Sequence, residues 1–392
     1  MIHRIVIILL LLILLPDLYR TWYRHRKKLT PRPVRSGILW GITLLISSAT
    51  LVLANSNGFQ SDPRWLADLY LWVLGLYVIP RFAMSFCTAV GRLFRPLSRR
   101  RRNWGRPIGL IIAIASLYIF IYGMTIGPRQ LTVKQTEMTF ADLPNAFNGY
   151  RLVVISDLHL GSQHADFVEK VVNTVNDQQP DAICFLGDLQ NSEPQEIYPY
   201  TTLLRSLKAH DGVFSILGNH DYSYYIGNKD DAVRAANERE TIARERQAGW
   251  TVLLNESHDI ERKGQCIRLV GTENYSDRPQ HQPSRADLRA ACQKGLGQGT
   301  SKPFVILMQH NPLFWRAEVS RQADIPLTLS GHTHGGQLKL FGYRASAGRY
   351  REDCGLYTQG HQRLFVTTGL GGLVPFRFNM PPEIVIITLK TV

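Results

Sequence analysis

Residues 151–159 read Arg-Leu-Val-Val-Ile-Ser-Asp-Leu-His. The first six form an apolar, β-branched run with the length of a buried strand, and a carboxylate and an imidazole follow at once. The pattern recurs four times downstream. Asp181–Gly187 (DAICFLG) runs into Asp188, and Val213–Leu217 into Gly218-Asn219-His220-Asp221. Phe304–Met308 leads to His310-Asn311, and Pro326–Ser330 to His332-Thr333-His334-Gly335-Gly336. Ligand sites in α/β proteins form outside the carboxyl ends of strands. Five strand ends bearing Asp, His and Asn therefore predict one crevice in which these side chains meet.

Working outward, Asp166–Gln178 and Tyr198–Ala209 have helical periodicity, and strands alternating with helices indicate an α/β domain. Gln265–Gly271, Gln337–Leu340, Arg363–Thr367 and Glu383–Leu389 add strands without intervening helices. That inventory predicts two packed mixed β-sheets flanked by helices. Asp230–Gln247 reads as a solvated surface helix, and Glu273–Thr300 as a loop insertion around a short helix. Five scattered cysteines contain no CxxC pair, which excludes a disulfide framework or thiolate zinc site.

Ahead of residue 128 the texture is different. Gly37–Ala54 and Pro107–Gly127 carry no charge, and each has about the length a bilayer core demands of a helix. Ile5–Leu15 and Trp65–Val90 are further apolar stretches. The expected spans are 3–19, 37–54, 65–90 and 107–127, giving a transmembrane region over 1–127 and a catalytic domain over 128–392. Pro16-Asp17-Leu18-Tyr19-Arg20 offers no small-residue cleavage site, so the first stretch reads as an uncleaved anchor. Asp68 and Arg81 in the third span read as snorkelling near a kink at Pro80 and pairing with each other, in preference to marking a polar pathway or a lipid headgroup site.

The chain has 45 Lys and Arg against 31 Asp and Glu. Segments 20–36 and 91–106 hold seven basic residues each and no acid, so the remainder is neutral. Both flank apolar runs, where polycations mark membrane orientation and not nucleic acid. Keeping both in the cytoplasm lets the 55–64 loop cross. The last span, preceded by Arg99–Arg102, then delivers everything after Gly127 to the extracytoplasmic side.

The residue types at the crevice decide its chemistry. Carboxylate, imidazole and one amide without thiolate suit Mn, Fe or Zn. Seven candidate ligands exceed what one structural zinc uses, and two divalent ions bridged by a shared carboxylate would absorb them. Two such ions, two carboxylates and a bridging hydroxide leave a net positive charge, which favours an anionic phosphoester.

The series DLH, GD, GNHD, a strand-end HN and GHTHGG resembles the calcineurin-like metallophosphoesterases. SGHTHGGQ followed by TTGLGG and PPEI is similar to the membrane-associated bacterial branch that includes YkuE and YaeI. The resemblance covers roughly residues 135–390. It implies that Asp157, His159, Asp188 and His334 hold one metal, Mn being the expected ion. It implies that Asp188, as the bridge, joins Asn219, His310 and His332 on the second. His220 matches the histidine that contacts the scissile phosphate, with Asp221 expected to orient its imidazole and keep it cationic. Asn191 stands where relatives usually carry an Asp. Glycines 369, 371 and 372 and Arg377 also match the branch, and Arg377 reads equally as a phosphate contact or as part of a surface loop.

The expected activity is hydrolysis of a phosphodiester or pyrophosphate by metal-activated hydroxide, with a lipid or cell-envelope substrate within reach of the anchor. Two alternatives stand beside it. One is a UDP-diacylglucosamine pyrophosphatase of lipid A synthesis, whose substrate is cytoplasmic. The other is a non-catalytic membrane sensor that uses the fold to bind a ligand.

Overall fold

The computed structural model describes residues 2–55, 64–97, 102–226, 230–293, 303–322 and 324–392. Arg99–Arg101, most of the 55–64 loop and residues 294–300 of the expected insertion lie outside the described residues. The chain divides into two units, Met1–Tyr122 and Gly123–Val392.

Among the described residues four helical stretches, Ile5–Arg26, Pro33–Asn55, Trp65–Leu93 and Gly105–Arg129, the last running past Tyr122, are long and apolar enough to cross a membrane. The elements are α1 (Ile2–Arg26), α2 (Pro33–Asn55), α3 (Arg64–Val73), α4 (Ile79–Leu93) and α5 (Gly105–Thr125). Ile13, Ile46, Tyr70 and Val78 form the interior, while Ile8, Leu45 and Ile111 face outward. A π-helical turn at Leu74–Val78 joins α3 to α4. Pro80 has no N–H to donate, and widening the preceding turn accommodates that loss. Glycines bring α4 and α5 together: a Cβ on Gly105 would lie 1.8 Å from the Cys87 carbonyl oxygen.

The expected pairing of Asp68 with Arg81 is corrected. Asp68 is exposed. Arg81 instead meets Asp17 of α1, which is fully buried, also pairs with Arg20 at 3.0 Å and accepts a hydrogen bond from Thr43. A carboxylate in a bundle interior needs cationic and hydroxyl partners, and position 17 faces inward where position 68 does not.

The second unit begins its order with β1 (Thr132–Phe140), β2 (Arg151–Ile155), α6 (Ala165–Asp177), β3 (Ala182–Phe185), α7 (Thr201–Arg205) and β4 (Val213–Ser215). It continues with α8 (Asp231–Gln247), β5 (Thr251–Val252), β6 (Glu256–Arg262), β7 (Gln265–Gly271), α9 (Leu288–Gln293), β8 (Phe304–Met308) and β9 (Leu327–Ser330). The short β10 (Lys339–Leu340) and β11 (Tyr343–Arg344) form a hairpin, and β12 (Gly355–Gln359), β13 (Gln362–Val366) and β14 (Glu383–Thr391) close the chain.

Two six-stranded mixed sheets result, ordered β1-β14-β2-β3-β4-β5 and β12-β13-β9-β8-β7-β6. Strands β2 to β5 run parallel, as do β7, β8, β9 and β13. Leu152, Val154, Cys184, Phe214, Leu269, Ile306 and Leu329 fill the space between the sheets. The alternate residues of the first sheet, Val153 and Ile155, pack on Phe167 and Val171 of α6. Trp315 and Phe314 cover the outer face of the second sheet.

Sequence periodicity leaves out β1, whose Lys134, Gln135 and Glu137 interrupt the apolar pattern; it is an edge strand with one half-covered face. The helix expected over Tyr198–Ala209 is shorter because Pro199 holds Pro194–Tyr200 in a 3-10 turn before α7. Helix α8 is not wholly solvated. Thr241 and Glu245 are fully buried, with Thr241 donating to Gln190 and Ser215 donating to Glu245. Helix α8 thereby ties β4 to the loop that follows β3.

Burial, and then repulsion from Asp221, hold the Glu245 carboxyl well above its ordinary 4.5. A raised carboxyl pKa contributes stability that is complete below about pH 4.5 and declines as pH rises towards the folded-state value. Glu245→Gln removes this decline. The melting temperature of the variant relative to wild type should therefore climb steadily from pH 5 to pH 8 in thermal unfolding scans.

Candidate metal centre

The parallel strands β2, β3 and β4 end side by side, and so do β8 and β9 of the other sheet. Their following loops carry Asp157, His159, Asp188, Asn219, His220, Asp221, His310, His332 and His334. Asp157, His159 and His334 present ligand atoms within 4.8 Å of one another; so do Asp188, His310 and His332, and also His159, Asp188 and His220. Asp188 therefore belongs to two groups, and its Oδ2 lies 3.2 Å from His310 Nε2 and 3.7 Å from His159 Nε2. Asn219 completes one side with Oδ1 3.1 Å from His310 Nε2.

Backbone conformation aims these side chains. Asp157, His159, Asp188, His332 and His334 all have positive φ. For residues with a Cβ this left-handed region costs on the order of 1 kcal/mol each, and Asp and His are among the types that tolerate it best. Such strain concentrates at functional sites. Close approach does the rest: a Cβ on Gly218 would lie 2.2 Å from Asp188 Oδ1, and one on Gly331 2.5 Å from Asp157 Oδ2.

Outer partners fix which atom of each side chain faces inward. His310 Nδ1 faces the Leu186 carbonyl oxygen at 2.7 Å, so Nε2 points to Asp188. His332 presents Nδ1, because its Nε2 meets the Tyr350 hydroxyl at 3.0 Å. Asn219 donates from Nδ2 to Tyr225 at 2.9 Å, leaving Oδ1 as the inward acceptor. Carboxylate oxygens, an amide oxygen and imidazole nitrogens thus converge with few donors among them, and a cation satisfies that arrangement.

The charge states of His159, His332, His334 and Asp188 agree with that reading, whereas burial raises Asp157. Burial holds the His332 and His334 imidazoles down to about 3, with cationic neighbours adding to the effect, and it holds His159 well below its ordinary value. Neutral imidazole is the ligating form. Burial alone would raise Asp188, but His310 and His220 outweigh it and keep the carboxyl ionised. Burial would lower His310, yet Asp188 and Asp157 push it up to about 9.

Asp221 does not act as expected. Its buried carboxylate accepts backbone N–H groups from Gly218, Asp188, Leu189 and Gln190 at 2.7–3.3 Å and is occupied by them. His220 Nδ1 instead faces the Asn191 carbonyl oxygen at 2.6 Å. The side chain at 191 is therefore immaterial to orienting that ring, because a main-chain atom does so. Asp221 positions the Asp188 loop.

Arg377 is buried and is not a surface-loop residue. Its guanidinium donates to the carbonyl oxygens of Thr368, Gly371, Met380 and Pro381. The loop it gathers carries Gly371, whose N–H donates to the Asp157 carbonyl oxygen at 2.6 Å. Arg377 therefore supports Asp157 through the backbone. Sequence reasoning also passed over Tyr225, stacked on His220 with ring centroids 4.1 Å apart, and Tyr350. Tyr225 lies in the run Tyr222-Ser223-Tyr224-Tyr225 directly after the GNHD cluster, a usable signal; Tyr350 has none.

Two outcomes test the centre by isothermal titration of metal-free protein with Mn. Binding must displace the His310 proton, so affinity should rise about tenfold per pH unit from pH 7 to about 9. A flat profile would show that binding displaces no proton over this range. Gly218→Ala, which pushes on the Asp188 carboxylate, should weaken binding by at least about tenfold.

Residues 150–336 match the family described as Calcineurin-like phosphoesterase, and residues 3–128 match "Probable Calcineurin-like phosphoesterase, transmembrane domain". A transmembrane protein with metallophosphoesterase domain from Danio rerio is 28% identical, over 97% of this chain and 87% of the relative. A metallophosphoesterase of Campylobacter jejuni is 27% identical over 89% of this chain and 88% of its own length. The YkuE metallophosphoesterase of Bacillus subtilis is 28% identical, covering 69% of this chain and 89% of the relative. Crowded histidines and carboxylates at strand ends, the double sheet and the four preceding helices agree with those matches. The chain therefore carries a calcineurin-like phosphoesterase domain, a hydrolase of phosphoester bonds, preceded by the four-helix transmembrane domain of such phosphoesterases.

Proposed function

We propose that the protein is a dinuclear, membrane-anchored phosphoesterase that cleaves a phosphodiester or pyrophosphate of a lipid or cell-envelope molecule. The observation that carries this reading is the position of Asp188, common to two groups of possible ligands. Asp157, His159, Asp188 and His334 would hold one ion. Asp188, Asn219, His310 and His332 would hold the other, and this mixed oxygen and nitrogen set suits Mn. When bound, such ions supply Lewis-acid charge and a water nucleophile at neutral pH.

The chain's own residues do the remainder. His220 keeps Nδ1 against the Asn191 carbonyl and is stacked by Tyr225, so Nε2 is the atom available to a leaving oxygen. A proton held there can be given to that oxygen as it departs. His220 is only partly buried, as are His332 and His334, whereas Asp157, His159, Asp188 and His310 are fully enclosed. That gradient leaves one side of the cluster open to an anionic ester and keeps water from the carboxylates behind it. The basic segments 20–36 and 91–106 support an extracytoplasmic catalytic domain.

Full-length protein loaded with Mn should hydrolyse bis(p-nitrophenyl) phosphate. His220→Gln should lower kcat by about 10²–10⁴-fold while retaining two Mn per chain. Asp188→Ala should lose turnover and both ions. Absence of turnover with every divalent metal, or an active Asp188→Ala, would sink the reading in favour of a non-catalytic sensor. A reporter fused after Val392 that is active only in the cytoplasm would reverse the orientation and point to the UDP-diacylglucosamine alternative.

A further inference from the structure

The basic ends of the membrane helices do not simply radiate outward. Arg20 and Arg24 of α1, Arg32 and Arg35 at the start of α2, and Arg81 and Arg92 of α4 line one cavity of about 500 Å³. Ser85 and Thr88 add hydroxyl groups to its wall, and among the described residues no acidic side chain lines it. Asp17 lies buried beneath and is engaged by Arg20 and Arg81. Arg92 is held over the Tyr23 ring at 3.4 Å and donates to the Tyr19 hydroxyl, neither of which neutralises it. Six arginines thus line the hollow, four half-buried and Arg32 and Arg35 exposed, and the one carboxylate beneath it engages two of them.

Membrane orientation requires basic residues near a span, not their convergence on a common hollow. Gathering like charges is unfavourable in a partly desolvated space unless an anion enters. Guanidinium forks match phosphate oxygens bidentately, and hydroxyls complete such a shell. We propose that this cavity binds a phosphate-bearing anion, presented either by the headgroup of an anionic phospholipid or by soluble phosphate. None of its residues belongs to the metal centre, so the site and the phosphoesterase reading stand or fall separately.

The test uses the full chain, purified in detergent and incubated with phosphatidylglycerol or phosphatidylcholine, with retained lipid counted by native mass spectrometry. Wild type should retain phosphatidylglycerol, and Arg32→Gln combined with Arg35→Gln should reduce retention by about tenfold or more. Arg26→Gln with Lys28→Gln removes equal charge outside the cavity and should leave retention unchanged. Ser85→Phe, which fills the cavity and keeps every charge, should release the lipid, so a misfolded arginine variant does not decide the outcome alone. Millimolar inorganic phosphate assigns the source: displacement identifies a soluble anion, and persistence of the lipid identifies the headgroup. Equal loss in both double variants, or retention undiminished by Ser85→Phe, overturns the proposal. So does a wild type that holds neither phosphatidylglycerol nor inorganic phosphate.

Discussion

A single buried carboxylate organises the catalytic domain. Asp188 is almost fully removed from water, yet neighbouring histidines keep it ionised. An isolated charge in that position would take up a proton instead. The surroundings are arranged to prevent this: His310 and His159 approach from different loops, the His220 N–H donates to Oδ1 at 2.8 Å, and Gly218 leaves room where any side chain would collide. These elements need the carboxyl ends of β2, β3 and β4 in one sheet and of β8 in the other to come together. The fold is the means of assembling that neighbourhood.

The cost of the arrangement is visible in the backbone. Five of the proposed ligands sit in left-handed conformations, and a chain free to relax would leave them. They persist because their loops are tied down from outside. Asp221 clamps four successive or adjacent N–H groups around Asp188, and Arg377 gathers the carbonyl oxygens of the loop that braces Asp157. Both residues are buried and spend their side chains on main-chain atoms. Their function is to make a strained loop the lowest-energy loop available.

What the sequence disclosed follows from this physics. An apolar run ending in Asp or His states both a strand and its functional end, so the crevice and its seven proposed ligands were legible without coordinates. The second layer was not, because its bonds run through the main chain. Nothing in the letters distinguishes a carboxylate that orients His220 from one that clamps the Asp188 loop, and Asp221 does the latter. Arg377 and Glu245 mislead for a related reason. Charged residues are expected at the surface, and burial becomes acceptable only when partners distant in sequence appear: carbonyl oxygens for Arg377, and Ser215 with a retained proton for Glu245. Strand β1 was hidden because an edge strand satisfies only part of the alternation on which periodicity relies.

The same principle bears on the first apolar helix, whose length alone suits either a removable leader or a permanent span. Arg81 lies on α4 in the interior of the bundle, and its carboxylate partner is Asp17 of α1. Thr43 of α2 bonds to that same carboxylate and also accepts from Arg81 at 3.2 Å. Removing α1 would take away the carboxylate that Arg81 and Thr43 share, and an unpaired charge within a span is costly. Asp17 is therefore not a polar residue tolerated in spite of the membrane. It is the group that makes an arginine in α4 tenable, and it binds the first helix to the rest of the domain.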